Sequence, residues 1–427
     1  MSDRRKFWIA LTVVALVALT VRLAYIALAR RGLTVGGDSL YYHEGANLLA
    51  KGKGYIDPYQ YLTTGKSVAA ADHPPAYLTY LALFSLVGLK SATAHMVASA
   101  LVGVGTVVVV GLVGREIAGP RLGVIAAAIA AVYPNLWAYD GALESETIAQ
   151  LAVALTFLAT YVWWRDPTRR NAALIGAAVA LGALARAEMA LLALLLIVPL
   201  VVWRAGLERR ERLRQLAVAW LTLALVVAPW CAYNLARFDR PTLLSTGFGV
   251  ALDSSACDAA FYGPFTGYWS RACVLDAEQR SGLPSDADRS VLEVMHRENA
   301  VRYIDAHLSR LPVVMFARVG RVAGLFQLRQ QAALDSFVAG REHWVAWSAW
   351  WSFFALAALS VAGAVVLRRR RVPVFPILSL PVLVVVTTAV FFGLVRYRAI
   401  AEVSVLLLAA VAIDAVVGAR SASMSAP

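Results

Sequence analysis

Apolar residues in this chain run in long unbroken stretches, without the alternation of a half-buried strand or the single stripe of a surface helix. The first stretch, Phe7 to Ala29, is long enough to cross a bilayer as helix. Further spans are predicted at roughly 92–114, 121–138, 147–164, 171–186, 189–204, 215–233, 344–367, 373–393 and 399–418. Ala76 to Leu89 is apolar but too short to span comfortably, and counting it would invert every later connection. It reads as an interfacial or re-entrant helix. The segment from about 234 to 343 is too long for a structureless link. Within it Ser290–Leu308 has a helical apolar side, and Leu311–Phe326, with Arg318 and Arg321 three apart, suits a helix in the interface. The pattern predicts an all-α polytopic membrane protein of about ten transmembrane helices, with interfacial helices and a small extracytoplasmic loop region. It divides into an N-terminal transmembrane module (1–233), an extracytoplasmic loop region (234–343), and C-terminal helices with a short cytoplasmic tail (344–427).

Composition agrees. Of 427 residues, 60% are hydrophobic and 16% charged, against about 45–50% and about 25% in soluble domains. A disordered chain, a secreted disulfide scaffold and a cytosolic enzyme are excluded on that ground. The formal charge of +13 raises nucleic acid as a partner, but the location of the arginines removes it. Arg115/Arg121, Arg165/Arg169/Arg170, Arg204–Arg214 and Arg368–Arg371 fall on alternate connections, on the side of Arg4, Arg5 and Lys6. That is the positive-inside pattern, so both termini are expected in the cytoplasm and the chain in the plasma (inner) membrane. No small-residue cleavage site follows the first apolar run, which reads as a retained helix. Arg22 lies about 22 Å along it and is expected to snorkel to the outer headgroups. Arg186 and Glu188, at the turn between two short spans, are expected below the outer surface, where only protein or a wet cavity tolerates polar backbone.

The orientation puts Cys257 and Cys273 outside the cytoplasm, where a bridge between them is expected over two free thiols. It also gathers polar residues on the outer face. The first loop reads Gly36-Gly37-Asp38-Ser39-Leu40-Tyr41-Tyr42, then Gly52-Lys53-Gly54-Tyr55, then Asp72-His73-Pro74-Pro75-Ala76-Tyr77. Two glycines let the backbone turn and present the Asp38 carboxylate, and the prolines start a helix just after His73. The second loop offers Asp140, Glu144 and Glu146; Glu146 also reads simply as an acid favoured at a helix N-terminus. Arg396 and Arg398 precede the last span, and as an isolated pair they would be interfacial anchors. Together these residues form a set in which a carboxylate accepts a hydroxyl proton and Arg forks hold a phosphate.

The order Gly-Gly-Asp38-Ser-x-Tyr41-Tyr42…Gly52-x-Gly54-Tyr, His73-Pro-Pro-x-Tyr77, Ser145-Glu146-Thr and Arg396-Tyr-Arg398 resembles the integral-membrane GT-C glycosyltransferases. Among them are glycosyltransferase family 39, the protein O-mannosyltransferases and the aminoarabinose transferases. The likeness covers the first span to about Trp230 and returns near Arg396. Protein O-mannosyltransferases carry paired acids in the first loop, whereas Asp38 is followed by Ser39.

The resemblance implies transfer of a sugar, a hexosyl or pentosyl group, from a polyprenyl-phosphate donor to an acceptor hydroxyl on a glycan, lipid or protein. The transfer would invert the anomeric carbon on the extracytoplasmic side. It assigns Asp38 as general base, and Glu146 with Glu144, His73, Tyr41 and Tyr42 to acceptor or sugar, Glu146 alternatively partnering His73. It assigns Arg396, Arg398 and Arg186 to the lipid phosphate. No cofactor is assigned; a divalent metal between Asp38 and Glu146 would find the oxygen ligands that hard cations take, but no compact ligand motif supports it. The competing reading of the spans is a lipid or solute transporter or flippase, which would put polar groups near mid-bilayer.

Overall fold

The computed structural model describes residues 2–32, 36–338 and 340–424. It is helical; among the described residues the one β pairing is an isolated bridge between Ile56 and Ala69. The first span, α1 (Asp3–Tyr25), continues through a π turn at Ile26–Arg30. Among the described residues, three short helices follow in the first long connection: α2 (Asp38–Ala50), α3 (Pro58–Thr64) and α4 (Ala76–Leu86). Next come α5 (Ala92–Ala118), α6 (Pro120–Val132), α7 (Pro134–Ala142), α8 (Glu146–Arg165) and α9 (Arg169–Ala185). A 3-10 turn and a π turn lead into α10 (Val198–Trp203), followed by α11 (Arg209–Arg237). The long connection after α11 folds as α12 (Gly247–Asp253), α13 (Asp258–Phe261), α14 (Arg271–Ser281), α15 (Arg289–Ala306), α16 (Leu311–Ala323) and α17 (Leu328–Val338). The chain returns through α18 (His343–Arg369), α19 (Phe375–Val390) and α20 (Ala399–Met424).

Among the described residues, six helices are long and apolar enough to cross a membrane, and eight segments are if each of two bent pairs counts as one span. This is fewer than the ten expected. The predicted 121–138 span is broken: α6 and α7 meet at 47°. Pro134 brings no N–H, and it holds Tyr133 in the extended region (φ −73°, ψ 116°). The predicted spans at 171–186, 189–204 and 373–393 form helical segments over Arg169–Ala185, Ala187–Trp203 and Phe375–Val390, each under the about 20 residues of a full crossing. The chain is an integral membrane protein built on this bundle.

The two ends of the bundle differ in charge. The 20 residues of α8 put Glu146 and Arg165 about 30 Å apart. At the Arg165 end its guanidinium meets Glu116 at 2.6 Å, and Arg169 meets Glu211 at 2.8 Å. Asp140, Glu144 and Glu146 gather at the opposite end. Helices close on one another through glycine: a Cβ on Gly363 of α18 would lie 1.8 Å from the Leu408 carbonyl of α20, an approach only a missing side chain permits.

Arg22 does not snorkel. It is buried against Asp140, Nε to Oδ2 at 2.7 Å, and Thr147 donates to the other Asp140 oxygen at 2.9 Å. A buried carboxylate within reach lets the arginine stay inside the protein, because each charge lowers the desolvation penalty of the other. α16 turns its arginines inward as well. Arg318 donates to the carbonyls of Ala389, Val390 and Ser255 and Arg321 to those of Thr266 and Pro264, while Phe316 and Leu325 face outward. The lobe formed by α12–α17 is cross-linked by the Cys257–Cys273 disulfide.

Candidate functional site

Four chain segments meet at the acid-rich end of the bundle. Gly37 caps α2 with φ +54°, a conformation that favours glycine, and so sets Asp38 at the first helical position. The Gly37 carbonyl accepts from the N–H groups of Leu40 (3.0 Å) and Tyr41 (3.3 Å) and from the Tyr59 hydroxyl (2.5 Å). Pro74 and Pro75 precede α4 and hold His73 at its entrance. α7 stops at Leu143, whose φ of +55° is left-handed in a non-glycine residue. That costs of order 1 kcal/mol, and the turn it makes aims Glu144 and Glu146 the same way. Arg396 is carried by the 3-10 turn Val395–Arg398 that leads into α20.

These segments converge on one guanidinium. Arg396 Nη1 lies 2.6 Å from Asp38 Oδ2 and Nη2 lies 2.7 Å from Glu144 Oε2, while Nε donates to Glu146 Oε1. Glu146 is shared with Arg186, whose Nε donates to Glu188 at 2.6 Å and whose guanidinium lies over the Tyr397 ring. His73 Nε2 is 3.6 Å from Asp38 Oδ1. The rings of Tyr41 and Tyr42 pack against His73 with centroids at 5.0 and 5.1 Å, and Tyr77 backs Tyr42. Glu144 and Glu146 are fully enclosed. The Asp38 side chain, 37% exposed, and His73 form the open side of the cluster.

The two acids outside the spans are shifted in opposite directions. For Asp38 burial alone would raise the pKa, but the Arg396 guanidinium and His73 outweigh it and hold the carboxyl well below the usual range. For Glu144 burial prevails: with Asp38 and Glu146 as like-charged neighbours, its carboxyl is pushed well above the usual range despite Arg396. Burial likewise raises the phenols of Tyr41 and Tyr42, which stay neutral donors.

Asp38, Glu144, Glu146, His73, Tyr41, Tyr42, Arg186 and Arg396 are therefore neighbours. Arg398 is not among them. One turn position further on it points into the bundle, donating to Glu402 at 2.6 Å and the Val322 carbonyl at 3.1 Å, against the Phe353 ring. In the tight turn, residues two apart point different ways, so the Arg-Tyr-Arg motif splits. His73 pairs with Asp38 and not with Glu146, which two arginines already engage. Asp140 belongs to the Arg22 pair. Sequence reasoning missed Tyr59; the signal was Asp57-Pro58, a helix start that Asp57 caps by accepting from the N–H groups of Tyr59 and Gln60. As for a divalent cation, the three carboxylates are the hard oxygen donors it takes, but Arg396 stands among all three, and a metal there would have to replace the guanidinium.

Residues 72–233 match the family described as dolichyl-phosphate-mannose-protein mannosyltransferase. No curated protein sequence matches the chain. Among solved structures, the archaeal oligosaccharyltransferase AglB from Archaeoglobus fulgidus, in complex with an inhibitory peptide and a dolichol-phosphate, aligns with TM-score 0.57 at 16% identity. The match covers 100% of this chain and 53% of that one. The apo form of the Archaeoglobus fulgidus oligosaccharyltransferase aligns with TM-score 0.56 at 14% identity, over 97% of this chain and 51% of the other. ArnT from Cupriavidus metallidurans, bound to undecaprenyl phosphate, gives TM-score 0.43 at 16% identity, over 96% and 78%. The chain spans about half the length of the AglB structures it matches. It has the membrane fold of the GT-C glycosyltransferases. Within that class, residues 72–233 carry the sequence pattern of the mannosyltransferase family.

Proposed function

We propose that the chain is a glycosyltransferase that moves a sugar from a polyprenyl-phosphate donor to an acceptor hydroxyl, in the outer leaflet, with Asp38 as general base. The observation that carries this reading is the shared guanidinium: one arginine able to hold a phosphate also touches an exposed carboxylate able to take a proton. The dolichol-phosphate in the AglB complex and the mannosyltransferase match support the donor class. The positive-inside pattern supports the side of the membrane.

In the resting site Asp38 is ionised but a weak base, because Arg396 stabilises its charge. A donor phosphate competes for the same guanidinium. As Arg396 turns to the phosphate, with Arg186 behind it, Asp38 loses its counter-charge and becomes more basic. It then accepts the proton of the acceptor hydroxyl. The acceptor oxygen forms its bond to the anomeric carbon while the carbon–oxygen bond to the phosphate breaks, and polyprenyl phosphate leaves with the bonding electrons from the opposite face. The configuration inverts. The two arginines stabilise the charge gathering on the leaving phosphate, so no general acid is needed there. Glu146 keeps both arginines in place, and Glu144, Tyr41 and Tyr42 back Asp38 and His73, the open face of the sugar or acceptor side.

The test is incubation of purified protein with radiolabelled polyprenyl-phosphate sugars and candidate acceptors, wild type beside Asp38→Asn. Transfer by wild type and its loss in the variant is the expected result; a fully active Asp38→Asn removes the assignment.

A further inference from the structure

A residue outside the charge cluster contacts the turn that carries Asp38. Gly37, the cap of α2, has a positive φ, and its carbonyl takes three donors: the amides of Leu40 and Tyr41 and the hydroxyl of Tyr59. The amide bonds come with any helix start. The Tyr59 bond is added from α3, twenty-two residues further along the chain, and at 2.5 Å it is the shortest of the three.

α3 is itself anchored. Asp57 caps it with one carboxylate oxygen and pairs with Arg289 through the other. Lys66, just beyond the helix, meets Asp286 at 2.5 Å, and the Gln60 amide donates to the Ser285 carbonyl. Each contact joins the first long connection to the segment that enters α15. Tyr59 is thus a fixed point held by the α12–α17 lobe, with one edge on Gly37 and its ring, 39% exposed, tilted toward Tyr41 at 6.4 Å.

We infer that Tyr59 is a positioning residue: its hydroxyl fixes the Gly37 turn and thereby aims the Asp38 carboxylate at the acceptor. This rests on Asp38 being the base of the proposed transfer. A glycine cap has more freedom than any other residue, and Asp38 follows it directly, so a change in the Gly37 dihedrals swings the carboxylate through the open side of the site. A displacement of about 1 Å at a reacting group costs up to about a hundredfold in rate.

Tyr59→Phe removes the hydroxyl and keeps the ring, the α3 anchors and the charge of every group in the cluster. Two readouts are taken on the full-length protein in detergent. Hydrogen exchange at the Leu40 and Tyr41 amides, which share the Gly37 carbonyl, is expected to quicken about tenfold. In the transfer assay kcat is expected to fall about tenfold to a hundredfold, with the KM for a polyprenyl-phosphate sugar unchanged within about twofold. Unchanged exchange overturns the tether. Unchanged kcat, or a loss confined to donor KM, overturns the positioning role. If wild-type protein transfers no sugar to any acceptor, the proposed function fails instead, and the exchange rates alone still decide whether Tyr59 holds the Gly37 turn.

Discussion

Replacing Arg396 by Gln should destabilise the fold as well as stop transfer, and most of the loss should trace to Glu144. Arg396 is 15% exposed, while the side chains of Glu144 and Glu146 are 4% and 0% exposed. Without the guanidinium, Glu146 keeps Arg186 and Asp38 keeps His73 and solvent. Glu144 loses the cation that the structure pairs with it. Removing one partner of a buried pair typically costs about 3–5 kcal/mol; a protonated Glu144 and the Gln amide should hold the loss near about 3 kcal/mol. Glu144→Gln alone should cost less than about 1 kcal/mol, since the amide stays within reach of Arg396 and removes the desolvation penalty that raises the Glu144 carboxyl. Combined with Arg396→Gln it should recover about 1–2 kcal/mol, the coupling expected of residues in direct contact. Unfolding in detergent by heat or denaturant, run as a double-mutant cycle, measures this. The deficit of Arg396→Gln should also shrink as pH falls toward about 5, because acids that lost their cation have raised pKa values and their penalty disappears on protonation. Additivity of the two substitutions within about 0.5 kcal/mol would refute the claim that Arg396 and Glu144 act on each other.

Three other outcomes follow from particular contacts. Asp38→Asn should lower the transfer rate by about a thousandfold, within the range typical of a lost general base, while fluorescence or calorimetric binding of a polyprenyl phosphate persists. In the lobe formed by α12–α17, His296 sits between Asp253 at 2.6 Å and Glu278 at 3.5 Å. Burial would lower its pKa, but the two carboxylates raise it from 6.5 to about 9. A raised histidine contributes stability that is full below pH 6.5 and is lost as pH rises through 9; hydrogen exchange of α15 should quicken across that window, and His296→Gln should flatten the dependence. Gly363→Ala should lower the melting temperature, because its Cβ would meet the Leu408 carbonyl, a backbone atom that cannot swing aside. Overpacking of about 1–3 kcal/mol outweighs the smaller gain from a stiffer unfolded chain; a melting temperature equal to or above wild type would show that α18 and α20 are not in this contact.

Much of the architecture was legible because hydrophobic transfer is a local property: a long apolar run belongs in a bilayer whatever surrounds it. Helices over 76–86, 289–306 and 311–323 lie close to where patterning put them. The number of full spans was not legible. Pro134 breaks one segment, and whether a shorter helix such as α9 or α19 reaches across depends on its neighbours.

For the candidate site, the chain order of Asp38, His73, Glu144, Glu146, Arg186 and Arg396 is enough to nominate each residue, since polar groups beside membrane spans are rare without a purpose. Their pairing was decided only in three dimensions. Arg22 and Asp140 are 118 residues apart, and Asp38 and Arg396 are 358 apart. No local rule says which carboxylate an arginine will find, or that Arg396 and Arg398 will face different partners. Sequence determines which groups must be shielded from lipid; the packing of α5, α7, α8 and α20 determines which charges shield one another. An ion pair depends on distance and desolvation, and both are set by the whole bundle.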